Sequence, residues 1–412
     1  MIYEKGDQVS GPVVNQGRLF RAFQGKGHEM QVLCLFHGSS PLLNSFKQEL
    51  MVGQCMPAGK FTDETIRWIL EQVREFRPDV FIADWIAPGL FASRWIQAAG
   101  IPCIGSFRSD DRYFWSLMRR FAGRDSGCWA VSGVFCVSRK LETQITERLG
   151  GARARTCVLP SGVPFPEDPP TVQKPIRMAY VGRIETNQKQ ILATVEAMCR
   201  VVKEIPGSEG TLFGNGPEEG AARDLLEREG CSDKVRLEGA VSPDEIQGRL
   251  AGYNVIVLLS DFEGTPGAIM DGMAAGLVPV CLACPGGIDE LVIDGETGIL
   301  VQDREDGFVA AIRKLAGDNE VFRRLRENAR RHIQEGYTLA NTVERWEDFM
   351  TTLVGEKRHV KRDIRIPRRF NLPPVDPDMS GFDFRMPTKW DTFIGQCKVR
   401  LGAIKRRILM RN

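Results

Sequence analysis

The chain has 412 residues, 42% hydrophobic and 26% charged, which excludes a disordered or fibrous class and fits a globular enzyme of two domains. The formal net charge of +2 gives no reason to expect a nucleic-acid partner. It hides an asymmetry, because residues 355–412 carry 15 Lys and Arg against six Asp and Glu, net +9, leaving −7 on residues 1–354. Eleven cysteines without framework spacing and only four histidines argue against both a disulfide scaffold and a zinc site. Cys281 and Cys284, the one close pair, read as reduced thiols in or just after a buried strand. No apolar run approaches 18 residues and no signal peptide opens the chain, so a cytoplasmic location is expected.

Short apolar strands alternate with helical stretches throughout, the pattern of a doubly wound α/β fold. Met1, Ile2 and Tyr3 form at most the stub of a first strand. In the first half, strands are predicted at 30–36, 80–83, 101–106 and 133–137, and amphipathic helices at 13–24, 63–75 and 90–98. Gly25, Gly27 and Gly100 supply the helix stops. A proline-rich run from Pro164 to Pro175 then reads as a linker.

The second set of alternations predicts strands at 176–181, 211–213, 235–237, 255–259, 278–281 and 298–301. Helices are predicted at 191–204, 217–229, 243–251, 268–275 and 307–316. Residues 338–354 carry Leu339, Val343, Trp346, Met350 and Leu353 at helical spacing. The tail divides in two. Residues 355–381 hold Lys and Arg runs with prolines, so that part is expected to be extended or to wrap over the surface. From Trp390 an apolar stripe of Phe393, Ile394, Cys397, Leu401, Ile404 and Ile408 leaves Lys398, Lys405, Arg406 and Arg407 outside it. Two readings stand for residues 390–412, a peripheral contact with the inner face of the cytoplasmic membrane or docking on the protein body.

The most informative stretch is 261–276. An apolar strand runs into Glu263, then a tight loop of Gly264, Thr265, Pro266 and Gly267, then a helix opening at Ala268 with Asp271 one turn in. Such a turn aims unpaired backbone N–H groups and the positive end of a helix dipole at one point, which makes an anion site. The flanking carboxylates suit sugar hydroxyls. Phosphate between and hydroxyls at either side fit a nucleotide-sugar.

This stretch resembles the donor-site signature of the retaining family 4 glycosyltransferases, an acidic residue, seven others, then Glu. The resemblance is carried further by Val181-Gly182-Arg183, Phe213-Gly214-Asn215-Gly216-Pro217, Val235-Arg236-Leu237-Glu238-Gly239 and Gly286-Gly287-Ile288-Asp289-Glu290-Leu291, in family-like order. It covers about residues 15–354 and thins toward the N-terminus. It implies a GT-B fold, two Rossmann-like domains facing across a cleft. Residues 1–165 would form the acceptor side, 166–337 the nucleotide-sugar domain, 338–354 a crossover helix returning to the first domain, and 355–412 a basic extension.

The implied roles follow residue by residue. Glu263 matches the acid that contacts the transferred sugar, and Asp271 takes the place of the Glu that holds the ribose, one methylene shorter. Arg183 and Lys189 match the cations that bind the diphosphate, a catalytic role beside Glu263. Gly214, Gly216, Gly264, Thr265, Pro266 and Gly267 line the donor, or in the case of Gly214 and Gly216 simply make a tight turn. Glu290 reads as structural. On the acceptor side Gly11, Asp84, Arg108 and Asp110 are candidates, with a helix cap, a core edge or a surface salt-bridge cluster as the alternatives. Many relatives carry a histidine where Arg108 falls, so no catalytic histidine is expected.

The function implied is transfer of a hexose, with retention, from a nucleotide diphosphate sugar to a saccharide or lipid-linked acceptor, in polysaccharide or glycolipid biosynthesis. No cofactor and no metal are expected. Two competitors remain, a GT-B sugar-nucleotide epimerase and a non-catalytic relative that binds nucleotide or a partner protein.

Overall fold

The structure, a computed structural model, describes residues 2–4, 11–36, 54–56, 62–167, 175–356, 362–374 and 376–379. The first half runs β1 (Ile2–Glu4), α1 (Gly11–Gly25), β2 (Leu33–Phe36), β3 (Gln54–Met56), α2 (Thr62–Phe76), β4 (Phe81–Asp84), α3 (Ala87–Ala98), β5 (Cys103–Phe107), α4 (Arg112–Phe121), β6 (Gly133–Cys136), α5 (Arg139–Leu149) and β7 (Arg155–Val158). The second half runs β8 (Arg177–Val181), α6 (Ile191–Glu204), β9 (Glu209–Phe213), α7 (Glu219–Arg228), β10 (Val235–Gly239), α8 (Ile246–Leu250), β11 (Val255–Leu258), α9 (Gly267–Ala274), β12 (Val278–Leu282), α10 (Ile288–Leu291), β13 (Ile299–Val301), α11 (Asp306–Gly317), α12 (Asn319–Gly336) and α13 (Leu339–Glu356).

The strands form three sheets, β1-β2-β3, β4-β5-β6-β7 and β10-β9-β8-β11-β12-β13. Every strand pair in them is parallel. Parallel strands are covered by helices on both faces, so their residues must be apolar throughout. All four residues of β11 and all five of β12 are buried. The order of the six-stranded sheet reverses between β8 and β11, which are neighbours. Their carboxyl ends therefore open side by side into a crevice, where open α/β sheets hold ligands.

Two apolar clusters underlie the halves. The second-half core gathers residues from Val163 to Ile333. The first-half core includes Val343, Trp346, Phe349 and Leu353 of α13, so the last helix packs back onto the first half. Gly133 in β6 makes room for it: a Cβ there would lie 2.7 Å from Phe349 Cζ.

The predicted stub at the N-terminus is the three-residue β1, paired with β2. Three of the elements that the pattern did not predict have little apolar signal. β3 has three residues, β7 is an edge strand with an exposed arginine, and α12 buries only Leu325, Ala329 and Ile333 among a dense run of charge. The nine cysteines whose side chains are described are free. No described helix is long and apolar enough to cross a membrane.

Residues 362–379 wrap over the first half, as expected for the proximal tail. The Arg362 amide donates to Ala99 O at 2.9 Å, and Arg67 Nη2 donates to Pro367 O at 3.0 Å. Phe370 meets Trp95 edge-on at 5.0 Å, while Ile364 and Met379 are buried. Residues 380–412, with the apolar stripe from Trp390, lie outside the described residues. Burying Ile364 and Met379 is worth about 2 kcal/mol each. A chain ending at Glu356 is therefore expected to melt about 5 °C or more below one ending at Met379, by differential scanning fluorimetry.

Candidate functional site

The carboxyl ends of β8 and β11 feed two loops, 182–190 and 259–266, that run side by side. Gln188 stitches them: its Nε2 donates to Phe262 O at 2.8 Å, and its carbonyl accepts the Asp261 amide at 3.0 Å. Gln190 Nε2 adds a bond to Asp261 Oδ2 at 2.6 Å. Arg183 is held from the same loop, Nη1 on Glu185 Oε2 at 3.0 Å and Nη2 on Gln188 Oε1 at 3.1 Å. The buried Tyr180 hydroxyl donates to the Arg183 carbonyl at 2.8 Å. Burial, then the Glu263 and Glu185 charges, push that phenol far above its ordinary value, so it stays a donor.

Lys189 Nζ lies 2.5 Å from Glu263 Oε1, with side chains 14% and 7% exposed. Glu263 is fixed from below by its backbone. Its amide donates to Pro285 O at 3.1 Å, and the Gly287 amide donates to its carbonyl at 3.2 Å. Gly286 permits this approach, with φ +121° and a would-be Cβ only 1.4 Å from Glu263 O. Burial, then the Glu263 charge, push the neighbouring Cys284 thiol up to about 12, so it stays protonated and unreactive.

Arg183, Lys189 and Glu263 thus gather at one end of the sheet, in a crevice that also receives Pro266 and Gly267 at the N-terminus of α9. Gly214 and Gly216 close the neighbouring corner. Their would-be Cβ atoms fall 1.8 Å from Gly182 O and 2.3 Å from Ile184 O, so the protein's own loop already requires glycine there.

The same loop touches the first half. Thr265 Oγ1 donates to Val137 O at 2.6 Å, and a Cβ on Gly264 would lie 2.4 Å from Arg108 O. Gly267 lies beside Asn15 of α1. Glu290, read as structural, caps α5 across the halves, accepting the Arg139 amide at 2.8 Å and the Lys140 amide at 2.6 Å. Asp271 also reaches across. Arg18 Nη1 of α1 is 3.1 Å from both of its oxygens, and Gln247 Nε2 is 3.1 Å from Oδ1. Burial pushes the Asp271 carboxyl up, against the pull of Arg18 and Gln247.

The acceptor-side candidates separate. Gly11 starts α1 with open space around it. Asp84 is fully buried at the end of β4 with φ +56°, a rare conformation for a residue with a side chain. Arg108 grips it with Nε at 2.9 Å and Nη2 at 3.0 Å, and Gln16 Nε2 donates to it as well. Arg108 also lies over the rings of Phe135 at 4.7 Å and Trp85 at 5.2 Å. A cavity of about 40 Å³, bounded by Gln16, Asp84, Arg108, Ser161 and Trp346, adjoins the pair. Asp110 sits elsewhere, tied to Trp115 Nε1 at 2.6 Å, Gln144 Nε2 at 2.9 Å and Arg148 Nη1 at 3.1 Å. Those bonds outweigh its partial burial and hold its carboxyl below the usual range. The salt-bridge alternative describes Asp110, and Arg108 belongs with Asp84 instead.

The sequence reading missed Arg18, Gln247, Gln188 and Gln16. None lies in a motif. The one available signal was Arg18 itself, a charge directly before the apolar Leu19 and Phe20 of α1.

Removing the Lys189 cation would strand a buried carboxylate. Lys189→Met is expected to cost about 3–5 kcal/mol, and adding Glu263→Gln should recover most of it, read as a coupling energy in a denaturant double-mutant cycle.

Comparison with known proteins bears on the family and the fold. Residues 11–165 match the family model for Glycosyltransferase Family 4, and residues 175–318 that for Glycosyl transferases group 1. Glycogen synthase of Mycobacterium tuberculosis is 25% identical over 317 residues, 74% of each chain. The putative colanic acid biosynthesis glycosyltransferase WcaL of Escherichia coli is 31% identical over 248 residues, 56% of this chain and 59% of that one. Among solved structures, Anabaena HepE in complex with UDP and glucose superposes with a TM-score of 0.67 at 15% identity, covering 85% of this chain and 98% of that chain. The chain belongs to the family 4 glycosyltransferases of GT-B fold.

Proposed function

We propose that the protein transfers a hexose, with retention and without a metal, from a nucleoside diphosphate sugar to a saccharide or lipid-linked acceptor. The observation that carries this reading is the convergence of Arg183, Lys189 and Glu263 beside the N-terminus of α9. A departing diphosphate needs its growing charge stabilised by groups already in place. Arg183 and Lys189 supply two cations held by neighbouring side chains, and the 264–267 turn supplies amide dipoles. Glu263 offers a carboxylate oxygen to sugar hydroxyls, and Asp271 is assigned to the ribose. The donor lies on the second half, and the acceptor enters from the first.

No covalent nucleophile is assigned. The acceptor oxygen attacks on the face the leaving group vacates, and the departing phosphate oxygen takes its proton. HepE is described in complex with UDP and glucose, which makes UDP and UDP-sugars the first ligands to try here. The glycogen and colanic acid relatives support an acceptor in polysaccharide biosynthesis. Contact of residues 390–412 with an anionic membrane follows from the tail's charge. Pelleting with anionic liposomes by the full chain but not by one ending at Met379 would bear it out, and equal pelleting would remove it.

A second reading, a non-catalytic nucleotide binder, is favoured by one observation: Arg18 already occupies Asp271. Turnover separates the two. Arg183→Ala is expected to lower kcat/KM about 10²–10³-fold, and EDTA to leave it unchanged. NMR of the product should show the donor's anomeric configuration; an inverted linkage would reject the same-face step.

A further inference from the structure

The acid assigned to the ribose is already engaged. A vicinal diol binds a carboxylate by donating to both oxygens. Here Arg18 Nη1 is 3.1 Å from Oδ1 and 3.1 Å from Oδ2, Gln247 Nε2 also takes Oδ1, and the carboxylate side chain is only 9% exposed. An entering diol therefore meets Arg18 where its own hydroxyls would bind.

Three features separate this pair from an ordinary structural bridge. It joins α1 of the first half to α9 of the second, 253 residues apart in sequence. Its other anchors are single backbone carbonyls: Arg18 Nη2 donates to Pro243 O at 3.1 Å, and Gln247 Nε2 to Pro164 O at 2.7 Å. The guanidinium is also incompletely satisfied. Arg18 is 5% exposed, yet its Nε is buried without a hydrogen-bond partner. A fully built ion pair would hold every donor, because a buried unpaired N–H is costly. The arrangement is a good hold on Asp271 and a poor seat for Arg18.

We propose that Arg18 is a cross-cleft competitor, which occupies Asp271 in the ligand-free protein and must leave it before a nucleotide's ribose diol can bind. The proposal rests on the assignment of Asp271 to the ribose. Its consequence is a reduced apparent affinity, since only the fraction of molecules with Asp271 released is competent to bind. It also makes Arg18 a positioning residue that couples nucleotide binding to the relation between the two halves, as a ligand that excludes Arg18 removes a bond between them.

The test is UDP binding by isothermal titration calorimetry to the wild type, Arg18→Lys, Arg18→Gln and Asp271→Asn. Lysine keeps the buried carboxylate paired but loses the second nitrogen that bonds Pro243 O, so it weakens the hold and guards against a variant that fails to fold. Affinity for UDP is expected to rise from Arg to Lys to Gln, by about fivefold or more overall, and to fall in Asp271→Asn. A residue that merely supports the fold would leave affinity unchanged or lower it when removed. Unchanged or weaker binding in both Arg18→Lys and Arg18→Gln overturns the proposal, and weaker binding would make Arg18 a direct ligand contact. Absence of UDP binding in the wild type and every variant would instead strike the donor-site assignment, and the competition with it.

Discussion

The contact on which the rest depends is the 2.5 Å pair between Lys189 and Glu263, because it fixes two loops from different strands at one distance. Strands β8 and β11 are neighbours in the sheet, so their carboxyl ends are close by construction. Closeness alone would leave two flexible loops. The ion pair, with Gln188 bonded on both of its ends, converts them into a rigid lip. A buried pair of this kind contributes little net stability, since desolvating both charges costs about what their attraction returns. Its effect is positional. It keeps a cation and a carboxylate at a crevice where neither would remain by burial alone.

That lip is held to the opposite half mainly through backbone carbonyls. Gly264 lies against Arg108 O, Thr265 bonds Val137 O, and Glu290 caps the free amides of α5. Such contacts demand small or precisely bonded residues on the second half and little from the first. The glycine-rich turn therefore serves two demands, exposing amides to the crevice and admitting the facing carbonyl. Among the described residues only the Arg18–Asp271 pair joins the halves by buried charge, and under the proposed assignment of Asp271 it is the contact that a bound nucleotide would contest.

The second half was legible because its constraints are local. Glu263, the 264–267 turn and Asp271 follow one strand within a few residues, and Arg183 and Lys189 follow another, so order and spacing expose them. Strand alternation gave the parallel sheets for the same reason. What stayed hidden depends on contacts distant in sequence. Arg18 meets Asp271 across 253 residues and Gln16 meets Asp84 across 68, and no periodicity encodes either. α12 was concealed because arginines and glutamates crowd its three buried positions. Asp110 misled because a carboxylate after a strand end resembles a cleft residue until Trp115, Gln144 and Arg148 are seen around it.

Arg108 shows how one position serves both faces of the crevice. Its side chain is committed to Asp84 and lies over the rings of Phe135 and Trp85. Asp84 in turn sits in a left-handed conformation that only a strong hold sustains. The fork of Arg108 with Gln16 behind it provides that hold. With its side chain locked, the Arg108 carbonyl is fixed in space, and against that carbonyl the Gly264 turn comes to rest. A histidine here could bond one carboxylate oxygen but not span two. The position thus acts as a strut, which ties the geometry of the Gly264 turn to the buried acid of the first half.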